Sequence, residues 1–210
     1  MQIPMEHAHT LSEASAWVKR WARLIPAGGT VLDVAAGSGR HALYFARLGY
    51  RVEAVDRDAV VLQTLAGAPG VTVRVADLEG GPWPYAGRRF EGIVVTHYLH
   101  RPLFPCLLEA LGERGVLIYE TFAVGNERYG RPSNPAFLLR PGELLAVFGS
   151  ALQVVAYEAG RVSVPKPAVL QRLCAVRCAE PVDLEPTQPG DCIRAYAAGQ
   201  KRRHSVSPGG

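Results

Sequence analysis

The chain has 210 residues, 48% of them apolar and 20% charged, which suits one globular domain with a substantial core. Its N-terminus lacks the apolar core of a secretory signal and no apolar run is long enough to span a bilayer, so no membrane partner and a cytoplasmic location are expected. The formal charge of +4 suggests nucleic acid, yet part of the excess sits in Lys201-Arg202-Arg203-His204 and no stripe of Lys and Arg interleaved with aromatics stands out elsewhere.

The spacing of Leu11, Ala14, Val18, Trp21 and Ala22 predicts an amphipathic helix over Thr10 to Leu24, capped by Thr10 or Ser12 and stopped at Pro26. His7 and His9 precede it; an H-x-H pair alone does not make a metal site, and none is expected. The run Val31-Leu32-Asp33-Val34-Ala35-Ala36-Gly37-Ser38-Gly39-Arg40 reads as an apolar strand ending in an acid, a glycine turn and the start of a helix that continues to Leu48. A strand over Arg51 to Val55 leads to Asp56. Asp58 caps a helix through Leu62 and Leu65, and Val71 to Val75 gives a third strand. After a Gly/Pro/Trp loop over 80–89, Phe90 to Thr96 is a fourth strand, Pro102 to Leu111 a helix and Gly115 to Glu120 a fifth strand.

A polar stretch broken by Gly and Pro, residues 120–135, separates the fifth strand from a helix over Pro141 to Phe148; loops of that length are usually functional or disordered. Leu152 to Tyr157 and Val169 to Cys178 are the last strands. Their short connector, with Gly160, Pro165 and Pro167, implies an antiparallel hairpin at the sheet edge. Alternating strands and helices predict an α/β fold: a Rossmann-like, doubly wound, mostly parallel seven-stranded sheet with a terminal antiparallel hairpin. Residues 1–180 are expected to form the domain and 181–210, rich in Pro, Gly, Ser and basic residues, a flexible tail. Cys106, Cys174, Cys178 and Cys192 show no C-x-x-C spacing and read as reduced thiols, with Cys174 and Cys178 on one strand face.

The glycine turn is the most informative feature, because glycine frees φ and lets backbone come close to a ligand. Gly37-x-Gly39-x-x-Ala42 followed by Asp56 also satisfies the loose dinucleotide fingerprint, and a purely structural turn is a third reading. Asp33 separates them: a carboxylate beneath the turn repels a pyrophosphate and attracts a cation, and no hydride-transfer constellation is evident downstream.

From Thr30 to about Val176 the chain resembles the class I S-adenosylmethionine-dependent methyltransferases, although Ala35 and Ala36 replace residues that are commonly glycine, or glycine or cysteine. The resemblance implies that Asp33 and the loop of Ala35, Gly37 and Gly39 face the methionine moiety of S-adenosylmethionine, and that Asp56, with Arg57 beside it, takes the ribose. It places Asp77 and Leu78 against adenine, and Thr96 and His97 where the fourth strand meets the cofactor. His97, Tyr98 and Glu120 are the catalytic candidates. The stretch 120–135 is a candidate lid, with Tyr119, Asn126, Arg128 and Tyr129 as acceptor contacts; a plain solvated connection is the other reading.

The reaction implied is in-line displacement at the sulfonium methyl, in which alignment matters more than a base. Thr96-His97-Tyr98-Leu99 stands where amino-group nucleic-acid methyltransferases carry an Asn/Asp-Pro-Pro-Tyr-like tetrapeptide. A small-molecule acceptor is therefore expected, as in the tellurite-resistance-like and thiopurine-like enzymes. RNA methylation and a non-catalytic cofactor-binding module are the alternatives. The oligomeric state has no signature in the sequence.

Overall fold

The computed structural model describes residues 13–178 and 180–184. His7, His9, Thr10, Ser12, Cys192 and the basic stretch 201–204 lie outside the described residues. The chain divides into two units, Met1–Glu180 and Pro181–Gly210. In the second, residues 181–184 carry no helix or strand.

Seven strands form one sheet: β1 (Thr30–Val34), β2 (Arg51–Asp56), β3 (Val71–Val75), β4 (Phe90–Thr96), β5 (Leu111–Phe122), β6 (Gln153–Val162) and β7 (Ala168–Val176). Their order is β3-β2-β1-β4-β5-β7-β6. The first five run parallel, whereas β7 is antiparallel to both β5 and β6. Helix α1 (Ala16–Trp21) precedes β1, and α2 (Arg40–Arg47), α3 (Ala59–Leu62), α4 (Phe104–Ala110) and α5 (Glu143–Phe148) lie in connections between strands. Strand order reverses between β1 and β4, so a crevice opens beyond their carboxyl ends.

The central strands are apolar on both faces because helices cover both: Val31, Leu32, Ile93, Val94 and Val95 are fully buried. Leu32, Ile93 and Val95 share one hydrophobic cluster with Phe90, Tyr119, Phe104 and Phe148, in which Phe104 and Phe148 meet edge to face at 5.4 Å. This rigid slab holds the strand ends that carry the site.

Several boundaries differ from expectation: β6 runs on to Val162, so Gly160 pairs with Leu170 inside the strand and only Pro165 and Pro167 stay in the connector, and α4 and α5 each start two residues later than expected. The first helix is capped by Ser15, whose hydroxyl accepts the Trp17 N–H at 3.1 Å, rather than by Thr10 or Ser12. Strand β5 extends past both predicted ends: Leu111 pairs with Phe90, and Thr121 and Phe122 pair with Gln171 and Leu170. Cys178 lies beyond β7 and only Cys174 is buried in it, so the two do not share a strand face.

Candidate active site

The turn between β1 and α2 has left-handed backbone at three residues: Ala35 (φ 53°), Gly37 (φ 54°) and Gly39 (φ 76°). Glycine is required at Gly39, where a Cβ would lie 2.3 Å from Leu65 Cδ2. Ala35 holds a conformation that glycine adopts freely, so alanine in place of the common glycine carries an energetic cost.

Asp33 does not face the crevice as expected. It is 1% exposed, and its Oδ2 accepts the Ala42 N–H at 3.0 Å, satisfying a backbone donor that the start of α2 leaves unpaired. Burial pushes its pKa up to about 7, against the opposing effect of the Ala42 N–H and the Arg40 charge. Asp56 is the acid that grips the turn. Its Oδ2 accepts the Gly37 N–H at 2.9 Å and its Oδ1 accepts the Asp58 N–H at 3.0 Å.

Beside the turn, Ala35, Asp56, Arg57, Asp77, Leu78 and Tyr98 line one cleft together with Ala76 and Glu79. Six of these eight residues were candidates from sequence. Glu79 was not, although the short turn in which Asp77 Oδ1 accepts its N–H at 3.0 Å brings it round to the same cleft. Those backbone N–H groups of Glu79 and Gly80 hold the Asp77 carboxyl below its usual range. The cleft thus gathers three carboxylates, Asp56, Asp77 and Glu79, and one guanidinium, Arg57. The buried Tyr98 hydroxyl has no hydrogen-bond partner among the described residues, and burial keeps the phenol protonated. An acidic cleft with a glycine cradle and a free buried donor fits a cationic amino-acid nucleoside and opposes a pyrophosphate.

The carboxyl end of β4 carries the second group. Thr96 Oγ1 lies 3.2 Å from His41 Nδ1, and His41 Nε2 accepts the Ser15 N–H at 3.2 Å. Burial, then the neighbouring Arg40 charge, drives the His41 pKa down to about 3. His97 has left-handed backbone (φ 54°) and stacks on Phe122 with ring centroids 4.9 Å apart. Its Nδ1 lies 3.5 Å from Arg40 Nη2, and its pKa is lowered by burial and by Arg40. Strained backbone at Ala35 and His97 flanks the crevice from both strands, the placement typical of functional sites. His41 was not evident from sequence, where it reads as an ordinary residue of an amphipathic helix.

Three further candidates are held in contacts within the fold. Glu120 is 3% exposed, and its carboxylate is paired with the Arg172 guanidinium, because β7 runs antiparallel beside it with Arg172 in register. Tyr119 is a core residue whose hydroxyl donates to the Tyr98 carbonyl at 3.0 Å. Asn126 is buried and braces its loop, donating to the Pro132 carbonyl at 3.1 Å and accepting the Val169 N–H at 3.2 Å. Arg101 completes that brace, donating to the Glu143 carboxylate and to the Ala136 and Leu138 carbonyls at 2.8 and 2.9 Å. Arg128 and Tyr129 remain exposed, with Arg161 over the Tyr129 ring at 5.9 Å.

Among the described residues, no group of three or more His, Cys, Asp or Glu side chains could hold a metal ion, and no helix is long and apolar enough to cross a membrane.

Comparison with known proteins agrees with this geometry. Residues 31–113, from β1 into the start of β5, match the methyltransferase-domain family. A protein-L-isoaspartate O-methyltransferase of Chlorobaculum tepidum is 32% identical over 111 residues, 48% of this chain and 48% of the relative. The chain thus aligns with about half the length of that curated relative. Among solved structures, TehB from Haemophilus influenzae superposes with a TM-score of 0.66 at 16% identity, covering 81% of this chain and 64% of its own. The glycopeptide N-methyltransferase MtfA complexed with S-adenosylhomocysteine gives 0.57 at 20% identity, covering 80% and 91%. A TehB-like methyltransferase from Corynebacterium glutamicum gives 0.56 at 19% identity, covering 77% and 87%. These likenesses show the fold. The matched stretch, residues 31–113, carries the methyltransferase domain on that fold.

Proposed function

We propose that the chain transfers the methyl group of S-adenosylmethionine to a small-molecule acceptor, with the residues of the β1–β4 crevice in the roles that follow. The observation that carries this reading is the charge of the cleft: three carboxylates against one guanidinium, beside a glycine turn whose Gly37 N–H is already held by Asp56. A dinucleotide would place its pyrophosphate against those carboxylates, whereas a sulfonium nucleoside with an ammonium group is attracted to them.

S-adenosylmethionine, when bound, supplies a methyl group already activated on sulfur. The chain's own residues bind and orient. Asp56 and Glu79 accept from ribose and other donors, Asp77 and Leu78 meet the purine, and the Tyr98 hydroxyl donates into the cleft. The turn of Ala35, Gly37 and Gly39 takes the amino-acid end, and Thr96 and His97 border the reacting methyl. Arg128 and Tyr129, both exposed in the 120–135 stretch, are the remaining acceptor contacts. Residues 1–180 form the catalytic domain, with 181–210 a basic tail.

A small acceptor is favoured over a nucleobase by Thr96-His97-Tyr98-Leu99 after β4. Calorimetric titration with S-adenosylhomocysteine should give binding that Asp56→Ala and Tyr98→Phe weaken, the first by roughly tenfold or more. Incubation with methyl-labelled S-adenosylmethionine and pooled metabolites or RNA then tests the acceptor. Label entering only RNA overturns the small-molecule assignment; label entering nothing while binding persists points to a cofactor-binding module.

A further inference from the structure

The hydrogen-bond partners of the two histidines at the β4 end determine which of their nitrogens carry protons. A backbone N–H and a guanidinium can only donate. The Ser15 N–H on His41 Nε2 therefore makes that nitrogen an acceptor, and neutral His41 carries its proton on Nδ1, where it donates to Thr96 Oγ1. By the same reasoning the Arg40 guanidinium, 3.5 Å from His97 Nδ1, makes Nδ1 the acceptor and leaves the proton on Nε2. The two imidazoles hold opposite tautomers, and neither offers a free lone pair to the crevice.

The other candidate bases around this end are also occupied. Glu120 is paired with Arg172 and Asp33 is buried against Ala42, while Asp56, Asp77 and Glu79 line the cleft assigned to the nucleoside. The Tyr98 phenol is protonated, and His100 lies on the cofactor side, close enough to act on Asp77. What remains is donors and positive charge. Arg40 is half-buried beside His97, and Lys166 in the β6–β7 connector is exposed and near enough to act on the His97 ring. Among the described residues neither cation is in an ion pair with a carboxylate. Arg172 also faces His97, but its charge is met by Glu120 and Glu158.

We infer that the acceptor reaches the β4 end already as an anion, held by Arg40 and the His97 Nε2–H, and that no side chain of the chain deprotonates it. This rests on the methyl-transfer reading and narrows its substrate to a carboxylate, thiolate or comparable small anion. The step balances without a proton: a lone pair of the anion forms the bond to the methyl carbon as the methyl–sulfur bond breaks, and that bonding pair stays on sulfur. The positive charge of the sulfonium and the negative charge of the acceptor cancel in the products. His97 then acts as a hydrogen-bond donor, a role distinct from the general base its position after β4 first suggests.

The test uses full-length protein saturated with S-adenosylhomocysteine and titrated with benzoate, benzamide and benzylamine, probes of similar size and different charge. Benzoate is expected to bind at least about tenfold more tightly than the other two, as a charge-assisted pair would give. Arg40→Gln should remove most of that preference. His97→Gln keeps an N–H donor without an imidazole base and should stay within about threefold of wild type, whereas His97→Ala should lose about tenfold. NMR of the histidine ring nitrogens should show the Nε2–H tautomer for His97. Benzoate binding that is absent or no tighter than benzamide binding, or an Nδ1–H tautomer, overturns the inference while leaving the cofactor reading intact. Failure of S-adenosylhomocysteine itself to bind would instead refute that reading.

Discussion

Asp33 and His41 stand eight positions apart in sequence and oppose each other in their effect on stability. Burial raises the Asp33 pKa from 3.8 to about 7 and lowers that of His41 from 6.5 to about 3. Between pH 3.8 and about 7, folded Asp33 keeps a proton that the unfolded chain has released, so its contribution falls as pH rises. Between about 3 and 6.5, unfolded His41 takes up a proton that the folded chain refuses, so its contribution rises with pH and is lost on acidification. Each slope approaches about 1.4 kcal/mol per pH unit, and over the shared window the two cancel. Asp33→Asn keeps an acceptor for the Ala42 N–H while removing the titration, and should expose the His41 slope. The variant should gain on wild type as pH rises, reaching roughly 2–4 kcal/mol by pH 8. His41→Gln should show the reverse: a loss on wild type above pH 6.5 that shrinks towards pH 4. Urea unfolding of the three proteins at intervals from pH 4 to 8 measures these differences. A difference between Asp33→Asn and wild type that does not change with pH would refute the buried, proton-holding carboxylate on which the reasoning stands.

Three other substitutions probe the frame around the crevice. Ala35→Gly relieves left-handed strain and should raise stability by about 1 kcal/mol or leave it unchanged, read from the denaturation midpoint. Gly39→Ala meets both a positive φ and the Leu65 side chain at 2.3 Å; it should cost about 2–4 kcal/mol and abolish S-adenosylhomocysteine binding measured calorimetrically. Arg101→Ala strips the brace from Ala136 and Leu138 and leaves the mostly buried Glu143 carboxylate without its partner. It should cost about 3 kcal/mol and speed proteolytic cleavage within 123–139, which limited proteolysis would detect.

Much of the fold was legible because it depends on period and punctuation. The strands at 71–75 and 90–96 and the Asp58 cap fall where alternation, apolar runs and turn residues placed them. That Ala35, Asp56, Asp77 and Tyr98 line one cleft was legible for the same reason: they follow the carboxyl ends of strands, and a parallel sheet brings those ends together. What was not legible is the set of contacts made by polar side chains whose partners are distant in sequence. Asp33 and Asp56 are both strand-end acids, yet one turns inward to the α2 backbone while the other grips the turn from the neighbouring strand. Tyr119 lies within β5 and Tyr98 just past β4, yet the hydroxyl of Tyr119 is satisfied by the Tyr98 carbonyl and that of Tyr98 has no partner among the described residues.

The histidines carry this furthest. From sequence His97 is a candidate base and His41 is nothing in particular. What assigns their protons is a backbone N–H 26 residues from His41 and a guanidinium 57 residues from His97, each able only to donate. Arg40 joins the two: it begins α2, one residue before His41, and reaches across the crevice to His97. Burial, with the Arg40 charge added to it, lowers the pKa of both rings and so favours their neutral forms. Neutrality is what fixes a tautomer, since an imidazolium would donate from both nitrogens and break the Ser15 and Arg40 contacts. The same arginine thus supplies the positive charge at the acceptor end and denies that end a base. In that environment a neutral alcohol or protonated amine has nowhere to release its proton, and an acceptor that arrives with its lone pair already free does not need to.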